Sequence, residues 1–307
     1  MFAYSLIDFY RKDGSLNLER KAEELLKSKD FWLKRLENYD TDFGYYENLE
    51  HLLIVNKNFQ SLDLYKLENL EFQLIQTADI LVGKNQGYKT IEGDKKTPTG
   101  VYNLTKRLYK LNPFYGPLAM VLSYPNLFDR LKGRTGSGIW IHGKPLNGDR
   151  DMFTKGCVAL DNERLVRFDK LISNLNRSII ILEDGRLRKV SKENLALILS
   201  SIYSWLASWR DNQFKTYLSF YAKEFKRFDG NGFDWFKKYK KNIFKKRERK
   251  KIFITNINIS PYPNSYDNKL FLVIFDEEYK TSSFNWKGKK KLFIKLINRK
   301  MKIVIEK

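Results

Sequence analysis

The chain has 307 residues, 42% of them hydrophobic and 30% charged, with a net charge of +21. That balance excludes an intrinsically disordered chain, and the length is enough to bury two cores. One cysteine excludes an internal disulfide or a multi-cysteine zinc site. Two histidines are too few for a histidine-rich metal centre, so no metal and no cofactor are expected.

The opening residues, Met1 to Asp8, lack the basic start and long apolar stretch of a secretory signal. No run of about 18 apolar residues occurs, so no membrane-spanning helix is predicted. Residues 16–38 read as an amphipathic helix, with Leu18, Ala22, Leu25, Leu26, Phe31, Leu33 and Leu36 near helical spacing. Asp40 to Glu50 reads as a connector. From His51 short strands are predicted at 52–55, 62–67, 72–75 and 80–82, and further strands at 100–104, 119–123, 138–142 and 178–182. A helix is predicted over 163–173, with Asp161 or Asn162 able to cap it. After Gly185 the pattern turns helical over 194–227 and again near 232–246. Strands follow at 252–259, 269–275, 279–285, 292–297 and 301–305. Trp205, Trp209, Trp235 and Phe236 read as core.

Helices followed by antiparallel strands indicate an α+β unit, and this order is similar to the nuclear-transport-factor-2-like (NTF2-like) cone. The predicted division is an N-terminal helical segment at 1–48, a β-rich domain at 49–185 and a basic α+β domain at 186–307. Charge marks the same boundary. Residues 186–307 hold 30 lysines and arginines against 11 acidic residues, while the first 185 hold 27 against 25. A basic half suggests an anionic partner: nucleic acid, phospholipid or an acidic cell-wall polymer. The basic run 245–251 follows aromatic residues, an interleaving that can bind nucleic acid. It reads equally as a solvated helix end favoured by the helix dipole.

The chemistry concentrates at two places. Cys157 lies in Thr154-Lys155-Gly156-Cys157-Val158-Ala159-Leu160, and His142 in Ile139-Trp140-Ile141-His142-Gly143. A thiolate is the nucleophilic form of cysteine, and free cysteine titrates at about 8.5. A neighbouring imidazole can hold the thiolate as an ion pair or take the thiol proton. Gly156 permits a tight turn that aims backbone amides at one spot, as an oxyanion hole requires. Gly143 lets a substrate backbone approach. Gly143, Lys144, Ser123, Tyr124, Thr154 and Lys155 are the candidate substrate-binding residues.

The pattern His142-Gly143, a spacer, then Thr154-Lys155-Gly156-Cys157 resembles the L,D-transpeptidase catalytic domain, also called the YkuD-like domain. The upstream turn Thr97-Pro98-Thr99-Gly100 before a strand adds to the likeness, which spans residues 51–184. The resemblance implies a β-rich sandwich with the cysteine in a cleft, and peptidoglycan stem peptides as substrate. It makes Cys157 the nucleophile and His142 the general base. The backbone around Gly156 and Cys157 would hold the oxyanion, and Gly156 or a neighbouring carbonyl would orient His142. Two departures stand out: Lys155 replaces a second histidine, and Ala159 replaces an arginine. The missing arginine removes an electrostatic contact and argues against transpeptidation.

The three-part layout is similar to the L,D-carboxypeptidases that trim tetrapeptide stems and affect cell shape, which end in an NTF2-like domain. That resemblance implies a periplasmic cysteine peptidase that converts tetrapeptides to tripeptides. An anionic cell-wall polymer then becomes the expected partner of the basic domain, and nucleic acid is not expected. The N-terminal helix is a candidate homodimer contact. L,D-transpeptidation, a basic polyanion-binding protein and a decayed catalytic scaffold are the alternative readings.

Overall fold

The computed structural model describes residues 2–185, 187–263 and 269–307. Two helices open the chain, α1 (Phe2–Lys27) and α2 (Lys29–Arg35), followed by a two-residue strand β1 (Tyr45–Tyr46). Next come β2 (His51–Asn56), β3 (Ser61–Glu68), β4 (Glu71–Leu81), β5 (Gly100–Tyr109), β6 (Leu118–Leu122), α3 (Leu127–Leu131), β7 (Trp140–His142), β8 (Val158–Leu160), α4 (Asn162–Leu171) and β9 (Ser178–Glu183). The C-terminal part holds α5 (Lys192–Arg210), α6 (Phe214–Ser219), β10 (Tyr221–Arg227), α7 (Phe233–Lys245), β11 (Lys251–Pro261), β12 (Leu270–Lys280), β13 (Asn285–Ile297) and β14 (Lys300–Glu306).

The first β unit is two sheets that share their long strands. Strands β4 and β5 each pair in both sheets, so the order β2-β3-β4-β8-β7-β6-β5-β9 closes on itself. Leu53, Val55, Leu62, Leu64, Ile141, Val158, Leu160, Ile180 and Leu182 fill its interior. The predicted strands at 72–75 and 80–82 merge into β4, because its middle is exposed on a sheet edge and the polar residues there do not end it.

The C-terminal part is a six-stranded sheet in the order β1-β11-β12-β13-β14-β10, with α5 and α7 against one face. Residues 194–227 were expected to be helical, yet β10 occupies 221–227. Tyr217, Tyr221 and Phe225 repeat every four residues as in a helix. A four-residue step also returns to the same face of a strand, so β10 buries Tyr221 and Phe225 together. The predicted strand 269–275 runs on to Lys280 as β12, whereas the predicted strand 279–285 is mostly the turn 281–284 that joins β12 to β13. The acidic residues between the two predicted strands stay in the ladder, where Asp276 pairs with Lys289 at 2.9 Å. Trp235, expected in the core, is exposed and stacks on Tyr239 at 5.2 Å.

The N-terminal segment does not stand apart. Ser28 ends the first helix and caps the second, accepting from the Phe31 amide at 3.3 Å. Trp32, Leu36 and Tyr39 then join the core of the C-terminal unit, Trp32 stacks on Tyr203 at 5.7 Å, and β1 pairs with β11. The expected boundary at Arg186 lies outside the described residues.

A third apolar cluster joins the two units. Leu52, Ile54, Val101 and Ile181 point out of the barrel and meet Leu270, Leu272, Phe293 and Val304 of the second sheet. Strand β2 is therefore buried on both faces, which is why Leu52 to Val55 is an unbroken apolar run. A polar cluster sits at the same seam. Asp129 accepts from Tyr102 at 3.0 Å and Arg134 at 2.8 Å, and Asn126 donates to Tyr262 at 2.9 Å.

Candidate active site

Strands β7 and β8 are parallel neighbours, with Ile141 opposite Val158 and His142 opposite Ala159. Their apolar residues face the barrel core, so Trp140 and His142 face outward. Extending the register puts Cys157 opposite Trp140, on that outer face. With strands about 4.8 Å apart and a rise of about 3.3 Å per residue, the Cys157 and His142 Cα atoms are about 8 Å apart. Both side chains therefore reach one groove.

The turn before Cys157 is locked from within. Gly156 has φ +132°, and a Cβ there would lie 2.9 Å from the Lys96 carbonyl oxygen. Buried Thr154 accepts from the Gly156 amide at 3.0 Å and donates to the Cys157 carbonyl at 2.7 Å. Thr97, from the Thr-Pro-Thr-Gly turn, donates to the same carbonyl at 3.4 Å and accepts from the Gly83 amide at 2.8 Å. These contacts revise two expectations: the Thr154 hydroxyl is spent on holding the loop, and the Gly156 amide is engaged by it, which leaves that amide unavailable as an oxyanion donor.

His142 is buried and fixed. Its Nδ1 lies 2.7 Å from the Gly143 carbonyl oxygen, an obligate acceptor, so Nδ1 carries the proton and Nε2 keeps its lone pair. The orienting carbonyl is thus that of Gly143 and not Gly156. Tyr115 meets the imidazole edge-on at 5.1 Å and Trp140 at 5.2 Å. Burial, reinforced by the charge of Arg150, lowers His142 to about 4. Burial also pushes the Cys157 thiol up, against the Trp140 backbone amide and the charges of Arg150 and Lys89. Both groups are therefore neutral at pH 7. Of the two roles open to the imidazole, proton acceptor fits and ion-pair partner does not. The thiol itself donates to the Gly138 carbonyl at 3.5 Å.

The remaining candidates scatter. Gly143 is a glycine for packing, not for substrate: a Cβ there would sit 2.0 Å from Asn162 Oδ1 and 3.1 Å from the Gly116 Cα. Lys144 stays near the groove, its ammonium 3.0 Å from Asp161. Lys155 is exposed beside the turn. Ser123 accepts from the Asn103 amide at 2.9 Å and faces a cavity of about 150 Å³ at the seam between the units. Tyr124 is core, its hydroxyl donating to the Thr135 carbonyl at 2.9 Å. Neither belongs to the Cys157 groove. Tyr115 and Trp140 lie beside His142, and the charges of Arg150 and Lys89 act on Cys157, although Lys89 is itself buried and paired with Asp94 at 2.7 Å; the sequence reading missed all four. Only Trp140 left a signal, two residues before His142 and so on the same strand face.

Sequence comparison matches residues 50–177 to the L,D-transpeptidase catalytic domain (YkuD) and residues 197–307 to the Cds6 C-terminal NTF2-like domain. Among solved structures, the helical cell shape determining protein Pgp2 of Campylobacter jejuni is 38% identical. It gives a TM-score of 0.86, with 92% of this chain and 99% of that chain covered. The chain belongs to the YkuD family. Bd1075 of Bdellovibrio bacteriovorus is a more distant relative, with 26% identity and a TM-score of 0.67 over 84% of this chain and 92% of that one. YafK of Escherichia coli is 31% identical over 108 residues, 35% of this chain and 41% of YafK, so the match spans less than half of that relative.

The NTF2-like domain of this YkuD-family chain also buries charge. Lys290 pairs with Glu306 at 2.5 Å, and Tyr221 donates to the same carboxylate at 2.6 Å. Lys240 lies over the Trp209 ring at 4.3 Å. Burial lowers Lys240 to about 8, whereas Lys290 and Lys240 overcome burial to hold Glu306 down at about 2. The interior of the cone thus holds buried charge within aromatic walls.

Proposed function

We propose that this chain is a periplasmic L,D-carboxypeptidase that removes the terminal D-alanine from peptidoglycan tetrapeptide stems. The observation that carries the reading is a neutral thiol and a neutral, oriented imidazole on one outer face of β7 and β8. The Cys157 Sγ attacks the scissile carbonyl carbon while His142 Nε2 takes the thiol proton. The amide left at this turn to meet the oxyanion is that of Cys157 itself. The C–N bond then breaks, His142 returns the proton to the leaving amine, and a thioester remains. Water, deprotonated by His142, attacks the thioester and releases the tripeptide carboxylate and the thiol. The likeness to Pgp2, a helical cell shape determining protein, supports a role in wall shape, and Ala159 in place of an arginine favours water over an amine as acceptor.

Incubation with purified muropeptides, read by mass, tests the proposal. Loss of one alanine residue, abolished by Cys157→Ala, is expected. Cross-linked dimers or exchanged D-amino acids would instead establish transpeptidation. The basic C-terminal domain is proposed to contact an anionic cell-wall polymer. Exposed Ile7 and Tyr10 on α1 support a homodimer contact, which size-exclusion chromatography of a chain lacking residues 1–17 checks; an unchanged elution refutes it.

A further inference from the structure

Arg150 lies in the segment between β7 and β8, seven positions before the nucleophile. Its guanidinium packs over the Phe114 ring at 5.2 Å, and Nη2 donates to the Phe153 carbonyl at 3.2 Å. Phe114 in turn packs edge-on against Tyr115, the ring that contacts His142. The other two nitrogens, Nε and Nη1, are buried and have no hydrogen-bond partner among the described residues. Asp149 and Asp151 flank it in sequence, yet neither makes an ion pair with it. Arg150 is half-buried as a whole, but its two unpaired nitrogens are shielded from solvent, which is costly unless an anion meets them. Each of its two forked edges retains an open nitrogen, and such a fork matches a carboxylate in shape and charge. Phe114 and Tyr115 link the guanidinium to the His142 ring, and its charge acts on both His142 and Cys157, which places an anion bound there on the side of the fold that carries the reacting groups.

We propose that Arg150 binds the free terminal carboxylate of the residue being released and so selects substrates cut one residue from their end. This rests on the carboxypeptidase reading above. In such a substrate the terminal carboxylate lies about one residue's span, ~3.8 Å, beyond the scissile carbonyl. Other carboxylates on a peptide stem lie further away or on the acyl side. Arg150 would thereby supply from a loop the positive charge that Ala159 does not supply from β8.

Two measurements on the full chain test this. The first compares a tetrapeptide stem with its C-terminal amide. Wild type is expected to prefer the free acid, and Arg150→Gln to lose at least about tenfold in kcat/KM on the acid while changing little on the amide. An equal fall on both substrates, or no preference in wild type, overturns the proposal. The second does not depend on the natural reaction. It takes the ratio of Cys157 alkylation rates by iodoacetate and by iodoacetamide, in which thiolate content cancels. Arg150→Gln is expected to lower that ratio by about fivefold or more, and Arg150→Lys to keep most of it. An unchanged ratio overturns the anion site even if the chain cleaves no muropeptide. A lowered ratio without cleavage leaves the site standing and rejects the carboxypeptidase reading.

Discussion

The protonation state of His142 is the sharpest quantity the site offers. An ordinary imidazole titrates near 6.5, and burial lowers His142 to about 4. At pH 5.5 the ordinary group is about 90% protonated, and one at about 4 is about 3% protonated. A thiolate–imidazolium pair would move the imidazole the other way, above 6.5, so a single titration separates the two resting states. The chain has only two histidines, so long-range proton–nitrogen spectra of the imidazoles resolve both, and His142→Gln assigns them. The expected result is a neutral His142, protonated at Nδ1, from pH 8 down to about 5. Stability follows in sign. Between 6.5 and about 4 the unfolded chain takes up a proton that the folded site refuses. Folding is therefore undisturbed above 6.5 and weakens as pH falls through that window, by up to about 3 kcal/mol from this group. The comparison is with His142→Gln, which lacks the effect. A His142 that titrates at or above 6.5 refutes the neutral pair and the general-base reading built on it.

Three further outcomes follow from particular contacts. Gly143→Ala puts a methyl group 2.0 Å from Asn162 Oδ1 and displaces the carbonyl that orients His142. A loss of about 100-fold in turnover with only a modest fall in melting temperature is expected, and near-full activity contradicts it. Asp129→Ala strips the buried carboxylate that pairs half-buried Arg134 and accepts from buried Tyr102 at the seam between the units. It should lower stability by about 3–5 kcal/mol in urea denaturation, and a shift under about 1 kcal/mol would mean that the cluster is dispensable. Glu306→Gln leaves Lys290 buried beside a neutral partner, with a similar loss of stability, while Cys157 alkylation in native buffer stays unchanged.

Local pattern made most elements legible, because the side-chain period reflects which face is buried. Leu62 to Leu67 alternates and forms β3, and the apolar run at Leu52 to Val55 forms a strand buried on both sides. The errors came where one period served two structures. Tyr217, Tyr221 and Phe225 keep a four-residue spacing across a helix-to-strand change, because four residues return to the same face of a helix and of a strand alike. Trp235 reads as core from its hydrophobicity, yet it lies under Arg227 on the surface at 5.4 Å. Cys157 and His142 were legible because a strand partner and a glycine frame travel with each in sequence. Arg150 and Lys89 were not, since their charges come near Cys157 only through loop paths that no local spacing encodes. Thr154 and Gly143 were legible as important but not in role: both serve the loop geometry.

The fold explains why the site rests uncharged. β7 and β8 are only three residues long, whereas β4 and β5, which close the barrel, run to 11 and 10. Short strands end early, so the segment between them carries Arg150 and the Cys157 turn over the outer face, and the connection between β5 and β6 brings Tyr115 to the same place. That covering removes water from the imidazole and the thiol, which disfavours charge on either. A pair held neutral does not spend its reactivity on solvent. Proton transfer then has to accompany attack on a bound carbonyl, where the tetrahedral oxyanion and the nearby cations offset the charge being made. On the proposed reaction, the burial that lowers thiolate content in the free protein is the same feature that would let Arg150 act strongly on bound substrate, because charges interact more strongly where water is excluded.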